Sequence, residues 1–262
     1  MIKTDMHTHS SFSSDSEEPL FEMAKAAAEK GLSTLCLTEH QDFDYPTGEF
    51  TLNVPEYRKE LFRVKEELSD KLEVLFGAEL GLLDYAAPQL REFARSADFD
   101  FIIGSQHQID GLDPYYPGYF DKTDDKNGIL HFFEVMLSAL KTFDGYDVLG
   151  HFDYVVRYSH AKSYDPVDYR EVIDETLKTV VSSGKGIEIN TKGASTIGYP
   201  HPHEFVLKRY KELGGETVTV GSDAHDRTRV AADFDKAERL LLDAGFKYYA
   251  VFRKRKPNFI KL

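Results

Sequence analysis

The regular alternation of short apolar runs with longer amphipathic segments constrains the fold of this chain more than any other feature. Seven short runs of apolar and β-branched residues are typical of buried strands: Ile2–Met6, Thr34–Thr38, Val74–Ala78, Phe101–Ser105, Val148–Gly150, Gly186–Ile189 and Val218–Ser222. Helical periodicity with suitable start and stop residues marks Pro19–Lys30, Pro55–Leu68, Ala87–Arg95, Ile129–Thr142, Val167–Ser183, Pro202–Leu213 and Val230–Ala244. Seven such alternations predict parallel strands joined by helical crossovers, and favour a closed barrel over an open sheet.

The remaining length of the chain adds little to this scheme. An eighth apolar run, Tyr248–Phe252, is expected to add an edge strand or to close the barrel. A chain of 262 residues falls within the usual size of one α/β barrel. No repeat, low-complexity tract or linker divides the sequence. We therefore predict a single α/β domain over residues 1–262.

Composition narrows the possible partners and the expected location. The chain has 32 Lys and Arg against 45 Asp and Glu, a net charge of −13, and this acidity disfavours nucleic-acid partners, which need basic patches. No run approaches the roughly 18 apolar residues that cross a bilayer, and the start of the chain lacks a signal-peptide pattern. A lone Cys36 excludes a disulfide framework, so we expect a cytoplasmic protein. The sequence leaves the oligomeric state open.

One long segment interrupts the alternation. Residues Gln108–Asn127 carry no clear periodicity and contain four aromatic side chains, Tyr115, Tyr116, Tyr119 and Phe120. Loops of this length are uncommon in compact domains unless they serve a function. Two interpretations stay open: a lid or substrate-facing loop, and a surface excursion whose aromatic side chains pack on the rim of the barrel.

Residues that can bind metal ions lie at the carboxyl end of each predicted strand. In chain order they are His7 and His9, Glu39 and His40, Glu79, His107, His151 and Asp153, Glu188 and Asn190, and Asp223 and His225. In an α/β barrel the carboxyl ends of the strands meet at one rim, where the loops form the active site. The sequence therefore predicts that these side chains converge on a metal site.

The types of side chain in this set indicate which metals are suitable. A His-x-His pair on an extended segment places both imidazoles on one side, as His7 and His9 would be. A carboxylate such as Glu79 can bridge two ions through its two oxygens. Ligation by imidazole and carboxylate without thiolate suits Zn²⁺, Mn²⁺ or Fe²⁺.

The other histidines carry a weaker signal. His201 and His203 also form a His-x-His pair, but they lie at a proline-rich helix start, so a structural role is favoured over a part in the chemistry. His131 lies in a helical pattern and His160 in a loop, where ordinary roles are expected. A single histidine near a strand end is more often hydrogen-bonded than metal-bound, so the prediction rests on the convergence of the whole set.

Four short motifs resemble those of the polymerase and histidinol phosphatase (PHP) family. They are Asp5-Met6-His7-Thr8-His9-Ser10, Thr38-Glu39-His40, Gly150-His151-Phe152-Asp153 and Gly221-Ser222-Asp223-Ala224-His225. The resemblance extends over the whole chain. Two further stretches, residues 104–111 (GSQHQIDG) and 188–193 (EINTKG), resemble the monofunctional histidinol-phosphate phosphatase branch.

This resemblance implies a distorted (β/α)7 TIM-like barrel with three divalent metal ions, zinc, manganese or iron. The first ion would be held by His7, His9, Glu79 and Asp223, with Glu79 bridging to a second ion that His107 and His151 complete. The third ion would be held by Asp15, His40 and His225. Many relatives have a histidine at the position of Asp15, which can alter the affinity or metal preference of the third site. Glu39 is expected to orient His40, and Asp5 and Asp153 to play similar supporting roles.

The resemblance also implies an activity. The expected reaction is hydrolysis of L-histidinol phosphate to L-histidinol and inorganic phosphate, a step of histidine biosynthesis, by attack of a hydroxide that bridges the first two ions. Glu79 and Asp153 are the expected catalytic residues, and Asp153 and a metal-bound water are both open as the proton donor to the departing alkoxide. The expected substrate-binding residues are Arg157, Lys192, Arg227 and Ser105.

Three alternatives remain at this stage. A PHP phosphatase could act on another ester, such as a nucleotide, a nucleic-acid end or a phosphotyrosine protein. The chain could be a metal-binding or regulatory module without catalysis, although a decayed site would be expected to lack ligands. A metal-dependent amidohydrolase barrel also uses a His-x-His pair after its first strand, but it usually has a carboxylated lysine where Glu79 is expected to bridge.

Overall fold

A parallel sheet of seven strands, arranged in the order of the chain, forms the centre of the molecule. The computed structural model describes all residues from 1 to 262. The strands are β1 (Thr4–Thr8), β2 (Thr34–Gln41), β3 (Glu73–Gly81), β4 (Phe101–Ser105), β5 (Val148–Leu149), β6 (Gly186–Asn190) and β7 (Val218–Gly221). Each strand pairs in parallel with the next. All seven predicted strands are present, and the predicted (β/α)7 barrel is confirmed.

The barrel closes only at the carboxyl ends of its first and last strands. The backbone N–H of His9 donates to the carbonyl of Ala224, and that of Asp223 donates to the carbonyl of His7, both at 2.8 Å. Below this junction the buried carboxylate of Asp5 accepts hydrogen bonds from the backbone N–H and the hydroxyl of Ser222, at 2.9 and 2.6 Å. Asp5 therefore joins β1 to the segment after β7, where a continuous ladder is missing.

The helices surround the sheet. They are α1 (Leu20–Glu29), α2 (Val54–Glu67), α3 (Ala87–Ala94), α4 (Asp125–Thr142), α5 (Arg170–Ser182), α6 (Lys192–Thr196), α7 (Glu204–Glu212) and α8 (Phe234–Asp243). Short 3₁₀ helices span Phe120–Lys122, Tyr154–Arg157 and Pro166–Tyr169. All seven predicted helical segments contain a helix, whereas the short α6 and the 3₁₀ turns were not predicted. None of the helices combines the length and the apolar character that crossing a membrane requires.

Helix α4 begins four residues earlier than its hydrophobic pattern indicates. The carboxylate of Asp124 accepts from the backbone N–H of Asn127 at 2.9 Å and so caps the first turn. This turn contains Gly128, whose missing side chain leaves room for Phe120, because a Cβ there would lie 2.8 Å from the ring. Capping and close packing extend the helix beyond its apolar stripe.

The C-terminal segment is the main difference between the predicted and the observed fold. Strands β8 (Tyr248–Arg253) and β9 (Lys256–Lys261) form an antiparallel hairpin of their own. Lys254 and Arg255 both have positive φ, 51° and 63°, as a tight two-residue turn requires. Because the chain reverses at once, β8 pairs with β9, so the expectation that this run joins or closes the barrel was wrong.

The hairpin covers the amino-terminal end of the barrel. The Arg253 guanidinium binds the Glu73 carboxylate at the start of β3, with Nε 2.6 Å from Oε1. Arg255 forms an ion pair with Asp147, just before β5. The Phe252 ring packs on Phe101 with centroids 5.1 Å apart. The hairpin does not cover the opposite end of the barrel, where the metal site is predicted.

The long segment after β4 is partly a packed surface excursion and partly a loop that faces the cavity. A tight turn, in which Asp110 and Gly111 have φ of 52° and 74°, pairs Ile109 with Leu112 and turns the chain back. Tyr119 and Phe120 are buried against α4, as a packed surface excursion requires. Tyr115 and Tyr116 instead line the cavity at the carboxyl end of the barrel, as a substrate-facing loop requires.

Candidate metal centre and active site

A cavity of about 500 Å³ lies at the carboxyl ends of the barrel strands. Seven of the nine predicted metal ligands line it: Asp15, His40, Glu79, His107, His151, Asp223 and His225. The other two, His7 and His9, are fully buried beneath the cavity, where both contact Glu79. The parallel strands thus bring together the side chains whose convergence the sequence predicts.

The deepest group of donor atoms surrounds one oxygen of Glu79. The Nε2 atoms of His7 and His9 lie 3.0 Å apart, and Glu79 Oε2 is 3.0 Å from the first and 3.3 Å from the second. Asp223 Oδ1 lies 3.6 Å from His9 Nε2. Donor atoms about 2.0–2.1 Å from a tetrahedral ion are roughly 3.3–3.4 Å apart. These four side chains are therefore spaced as ligands of one ion would be.

A second group gathers around the other oxygen of the same carboxylate. His151 Nε2 lies 3.0 Å and His107 Nε2 3.3 Å from Glu79 Oε1. The hydroxyl of Ser105 donates to this oxygen at 2.6 Å. Glu79 thus directs one oxygen towards each histidine group, which is the arrangement a bridging ligand needs.

The third group lies nearer the mouth of the cavity. Asp15 Oδ2 is 2.8 Å from His225 Nε2 and 3.7 Å from His40 Nε2. Donor atoms of His9, His40 and His225 all lie within 4.8 Å of one another. The Asp15 side chain reaches this group and brings a negative charge to it.

The chemistry of these donor sets fits divalent cations. The Nε2 atoms of His7 and His9 face each other at 3.0 Å, so at most one proton can lie between them. A cation that both nitrogens bind would satisfy both of them. Neutral imidazoles and carboxylates without thiolate are ligands that zinc, manganese and iron accept. The residues at this site therefore fit bound metal ions better than a purely hydrogen-bonded core.

The ionisation of the carboxylates favours metal binding, because ligands must be deprotonated. Burial alone would raise the pKa of Glu79, but His7, His40 and His107 hold this pKa well below its usual value. Burial opposes ionisation of Asp223 as well, and the positive charges of Lys192 and nearby histidines lower its pKa strongly. Both carboxylates are therefore ionised at neutral pH.

The histidines divide into two electrostatic classes. Burial lowers the pKa of His151 to about 4 and also lowers the pKa of His9, so both rings are neutral. For His7 and His107, burial is outweighed by neighbouring carboxylates, which raise the pKa. The carboxylates responsible are Glu188, 2.6 Å from His7 Nδ1, and Asp42, 2.7 Å from His107 Nδ1. Such contacts hold a proton on Nδ1, and a bound metal ion would take the place of the proton on Nε2.

Glu39 does not contact the ring of His40, which the sequence predicts it to orient. The Glu39 carboxylate accepts from the hydroxyls of Ser10 and Ser13, at 2.5 and 2.6 Å, rather than from His40. Ser13 Oγ lies 3.2 Å from His9 Nδ1. Glu39 therefore orients His9 through Ser13, because its side chain points to the turn after β1.

The predicted substrate-binding residues fall into two pairs. Arg157 and Lys192 line the cavity, with Lys192 Nζ 3.2 Å from Asp223 Oδ1. Ser105 does not line it, since its hydroxyl is held by Glu79. Arg227 is half exposed and directed towards Glu22 on α1, at 3.2 Å. The substrate-binding predictions for Ser105 and Arg227 do not fit these positions.

Asp153 also lies outside the cavity. One carboxylate oxygen is 2.5 Å from His201 Nδ1, and the other accepts from the backbone N–H of His203 and the hydroxyl of Tyr164, both at 2.9 Å. With both oxygens engaged away from the cavity, Asp153 is not placed to protonate a leaving group. The predicted catalytic role for Asp153 therefore does not fit the structure.

His201 connects Asp153 to the cavity. Its Nε2 accepts from Arg157 Nε at 2.8 Å, and all three side chains are buried. Gly193 makes room for the ring, because a Cβ there would lie 2.8 Å from His201 Cδ2. The Asp153 carboxylate fixes the proton on Nδ1, so Nε2 accepts from Arg157. This chain of contacts holds the guanidinium at the cavity wall.

Comparison with known proteins places the chain in a family. A family model described as the PHP domain matches residues 5–192. The chain belongs to the PHP family. The histidinol-phosphatase of Lactococcus lactis subsp. lactis is 35% identical over 259 residues, which cover 96% of this chain and 95% of that protein. A probable histidinol-phosphatase of Clostridium acetobutylicum is 32% identical, with 93% and 94% covered.

Solved structures agree with this placement. The crystal structure of histidinol phosphate phosphatase from Lactococcus lactis subsp. lactis, complexed with zinc, L-histidinol and phosphate, has a TM-score of 0.90 to this PHP chain. It is 33% identical and covers 98% of both chains. A putative histidinol phosphatase from Listeria monocytogenes, with a TM-score of 0.77 and 18% identity, shares the fold.

Sequence reasoning missed several residues of this PHP site. Asp42 follows His40 by two positions, so strand alternation places both on one face, and that signal could have identified it. The sequence favours only a structural role for His201 and predicts none for Ser13, because the partners of both are remote in sequence. Asp113, which lines the cavity on the loop after β4, was also missed.

Proposed function

We propose that this PHP protein is a metal-dependent histidinol-phosphatase, which hydrolyses L-histidinol phosphate to L-histidinol and inorganic phosphate. The observation that carries the proposal is the Glu79 carboxylate, shared between two histidine groups at the floor of a cavity. Two relatives above 30% identity, named histidinol-phosphatase and probable histidinol-phosphatase, support the choice of substrate. The net charge of −13 speaks against a nucleic-acid substrate.

Three divalent ions would fit the three groups of donor atoms. His7, His9, Glu79 and Asp223 would hold the first, Glu79, His107 and His151 the second, and Asp15, His40 and His225 the third. Zinc is the first candidate, and manganese and iron suit the same ligands. When bound, such ions lower the pKa of coordinated water and offset the charge of a phosphate.

The side chains of the protein supply binding and orientation. Arg157, fixed by His201, presents its guanidinium at the cavity wall, where it would bind phosphate oxygens through charge-assisted hydrogen bonds. The Nζ atom of Lys192 lies 3.1 Å from Nδ1 of His225, a member of the third donor group. From there Lys192 would also contact the phosphate. Hydrolysis also requires a proton on the departing alcohol oxygen, and with Asp153 turned away this proton must come from a group that faces the cavity.

A substrate panel tests the proposal. Phosphate release from L-histidinol phosphate is compared with release from a nucleoside monophosphate and from a phosphotyrosine peptide, each with and without a chelator. We expect L-histidinol phosphate to give the highest kcat/KM and the chelator to abolish turnover. A preference for another ester, or turnover that resists complete removal of metal, would contradict the proposed function.

A further inference from the structure

The wall of the cavity contains a buried carboxylate that belongs to none of the three donor groups. Asp113 follows the tight turn at Asp110 and Gly111 and is only 5% exposed. Tyr45 donates its hydroxyl to Asp113 Oδ2 at 2.8 Å. Tyr154 donates its hydroxyl, and Tyr115 its backbone N–H, to Oδ1 at 3.1 and 2.8 Å. A carboxylate has room for about four donors, so Asp113 can accept another.

The negative charge of Asp113 has no cationic partner within ion-pair distance. No lysine, arginine or histidine nitrogen lies within 4.0 Å of it. Burial raises the pKa of Asp113, and the positive charge of His107, which lies beyond 4.0 Å, only partly offsets this effect. Burying an unpaired charge is costly, and the cost falls when a cation binds beside it.

Aromatic rings lie beside this carboxylate. The rings of Tyr154 and Tyr158 lie 5.1 Å apart, those of Tyr158 and Tyr115 5.8 Å apart, and Tyr45 packs against Phe50 at 4.6 Å. The faces of such rings attract cations and also stack on flat groups such as imidazole. A carboxylate within an aromatic wall is a suitable site for an organic ammonium ion.

Tyr154 links this wall to the metal-binding floor. Its ring centroid is 4.9 Å from that of His151 and 5.8 Å from that of His107, whereas its hydroxyl contacts Asp113. One tyrosine ring therefore separates the second donor group from Asp113. In L-histidinol phosphate only a short chain of covalent bonds separates the phosphorus from the amino nitrogen, so one molecule can span this distance.

We propose that Asp113 binds the primary ammonium group of the substrate and thereby selects phosphate esters of amino alcohols. This inference rests on the proposed function and deepens it. The other acids at the cavity are less suited. Asp42 is engaged by His107, and Glu49 is exposed at the mouth. The remaining three acids lie among the donor groups: Asp15, Glu79 and Asp223.

The wild-type protein provides the first test. Loaded with zinc, it is titrated by calorimetry with L-histidinol and with imidazolylpropanol, which lacks only the amino group. We expect L-histidinol to bind about 10- to 100-fold more tightly, the range for a hydrogen bond between charged partners. Equal affinities would overturn the assignment without any variant having to fold.

Substitution then locates the selectivity. In Asp113→Asn we expect the KM for L-histidinol phosphate to rise about 10- to 100-fold, and that for imidazolylpropyl phosphate to change less than about two-fold. Glu49→Gln removes the same charge from an exposed position and is the matched control, with less than about a two-fold change for both esters. Zinc content and thermal unfolding show whether each variant is folded.

The outcomes separate this inference from the proposed function. A loss confined to the amine-bearing ester in Asp113→Asn supports the inference. An equal loss for both esters, or no loss for either, overturns it, as does a selective loss in Glu49→Gln alone. If the wild-type protein hydrolyses neither ester, the proposed function fails, and the calorimetric comparison of wild type with Asp113→Asn still decides where an ammonium ion binds.

Discussion

The two ends of the barrel treat acidic side chains in opposite ways. At the amino-terminal end, Glu73 and Asp147 each face an arginine of the C-terminal hairpin. At the carboxyl-terminal end, Glu79 and Asp223 lie among imidazoles, and Asp113 has no cationic partner within ion-pair distance. The first end satisfies its charges within the chain, so it serves stability. At the second end Glu79 and Asp113 have no lysine or arginine partner, so their charges are left to be satisfied by what binds there, which is the division of labour known for α/β barrels.

The largest effect is expected at the shared carboxylate. Glu79→Gln removes a charge that two donor groups require, so we expect kcat/KM to fall by about 1,000-fold or more and the metal content to fall with it. Steady-state kinetics and elemental analysis measure both. Glu66→Gln, an exposed carboxylate on α2, is the control and should match the wild type. A well-folded Glu79→Gln protein with normal metal content would show that metal binding does not require the charge of Glu79.

Metal removal from the carboxyl-terminal end should lower the thermal stability of the protein. Zinc at 100 times its Kd should stabilise the protein by about 2.7 kcal/mol, because it binds the folded chain only. Thermal unfolding with chelator and with added zinc measures the difference in Tm. A Tm that is unchanged by zinc would mean that the donor groups are satisfied without metal.

A smaller effect is expected for the residue that positions Arg157. His201→Leu removes the acceptor of Arg157 Nε, so we expect the KM of the phosphate ester to rise about ten-fold while metal content is retained. His201→Gln keeps an acceptor and should recover part of the loss. His160→Leu removes a histidine whose side chain is 67% exposed, and it is the matched control. Equal KM values for His201→Leu and His201→Gln would show that the His201 ring does not act through its hydrogen bond to Arg157.

The smallest effect is expected at the amino-terminal end. The Arg253 hydrogen bond lowers the pKa of Glu73 below its ordinary value of 4.5, although burial opposes this shift. Because the folded-state pKa is the lower one, the pair stabilises the protein above pH 4.5, and this contribution is lost as the pH falls through the folded-state pKa. Arg253→Gln should cost about 0.5 kcal/mol at neutral pH, as partly exposed ion pairs do, and leave kcat/KM unchanged.

Denaturant unfolding of Arg253→Gln and the wild type over a range of pH tests this last point. The difference in the free energy of unfolding should be present at neutral pH and shrink in acid. A change in kcat/KM instead would mean that the two ends of the barrel are coupled.

Much of the site followed from the sequence because it depends on topology. Parallel strands in sequential order bring their carboxyl ends to one rim, so His7, Glu79 and His151 could be predicted to meet before any contact was known. The predictions that failed depended on where single side chains point. Arg227 and Asp153 follow the right strands, but the first is directed to α1 and the second to His201.

The sequence by itself determined the alternation of strands and helices and the side chains delivered to the rim, because periodicity, turn residues and strand direction act over short stretches of chain. The tertiary structure alone decided that the last strands form a separate hairpin, that His201 holds Arg157 and that Asp113 lies in an aromatic wall. Those contacts join residues far apart in the chain, and their energies depend on burial and on distances that only the packed molecule defines.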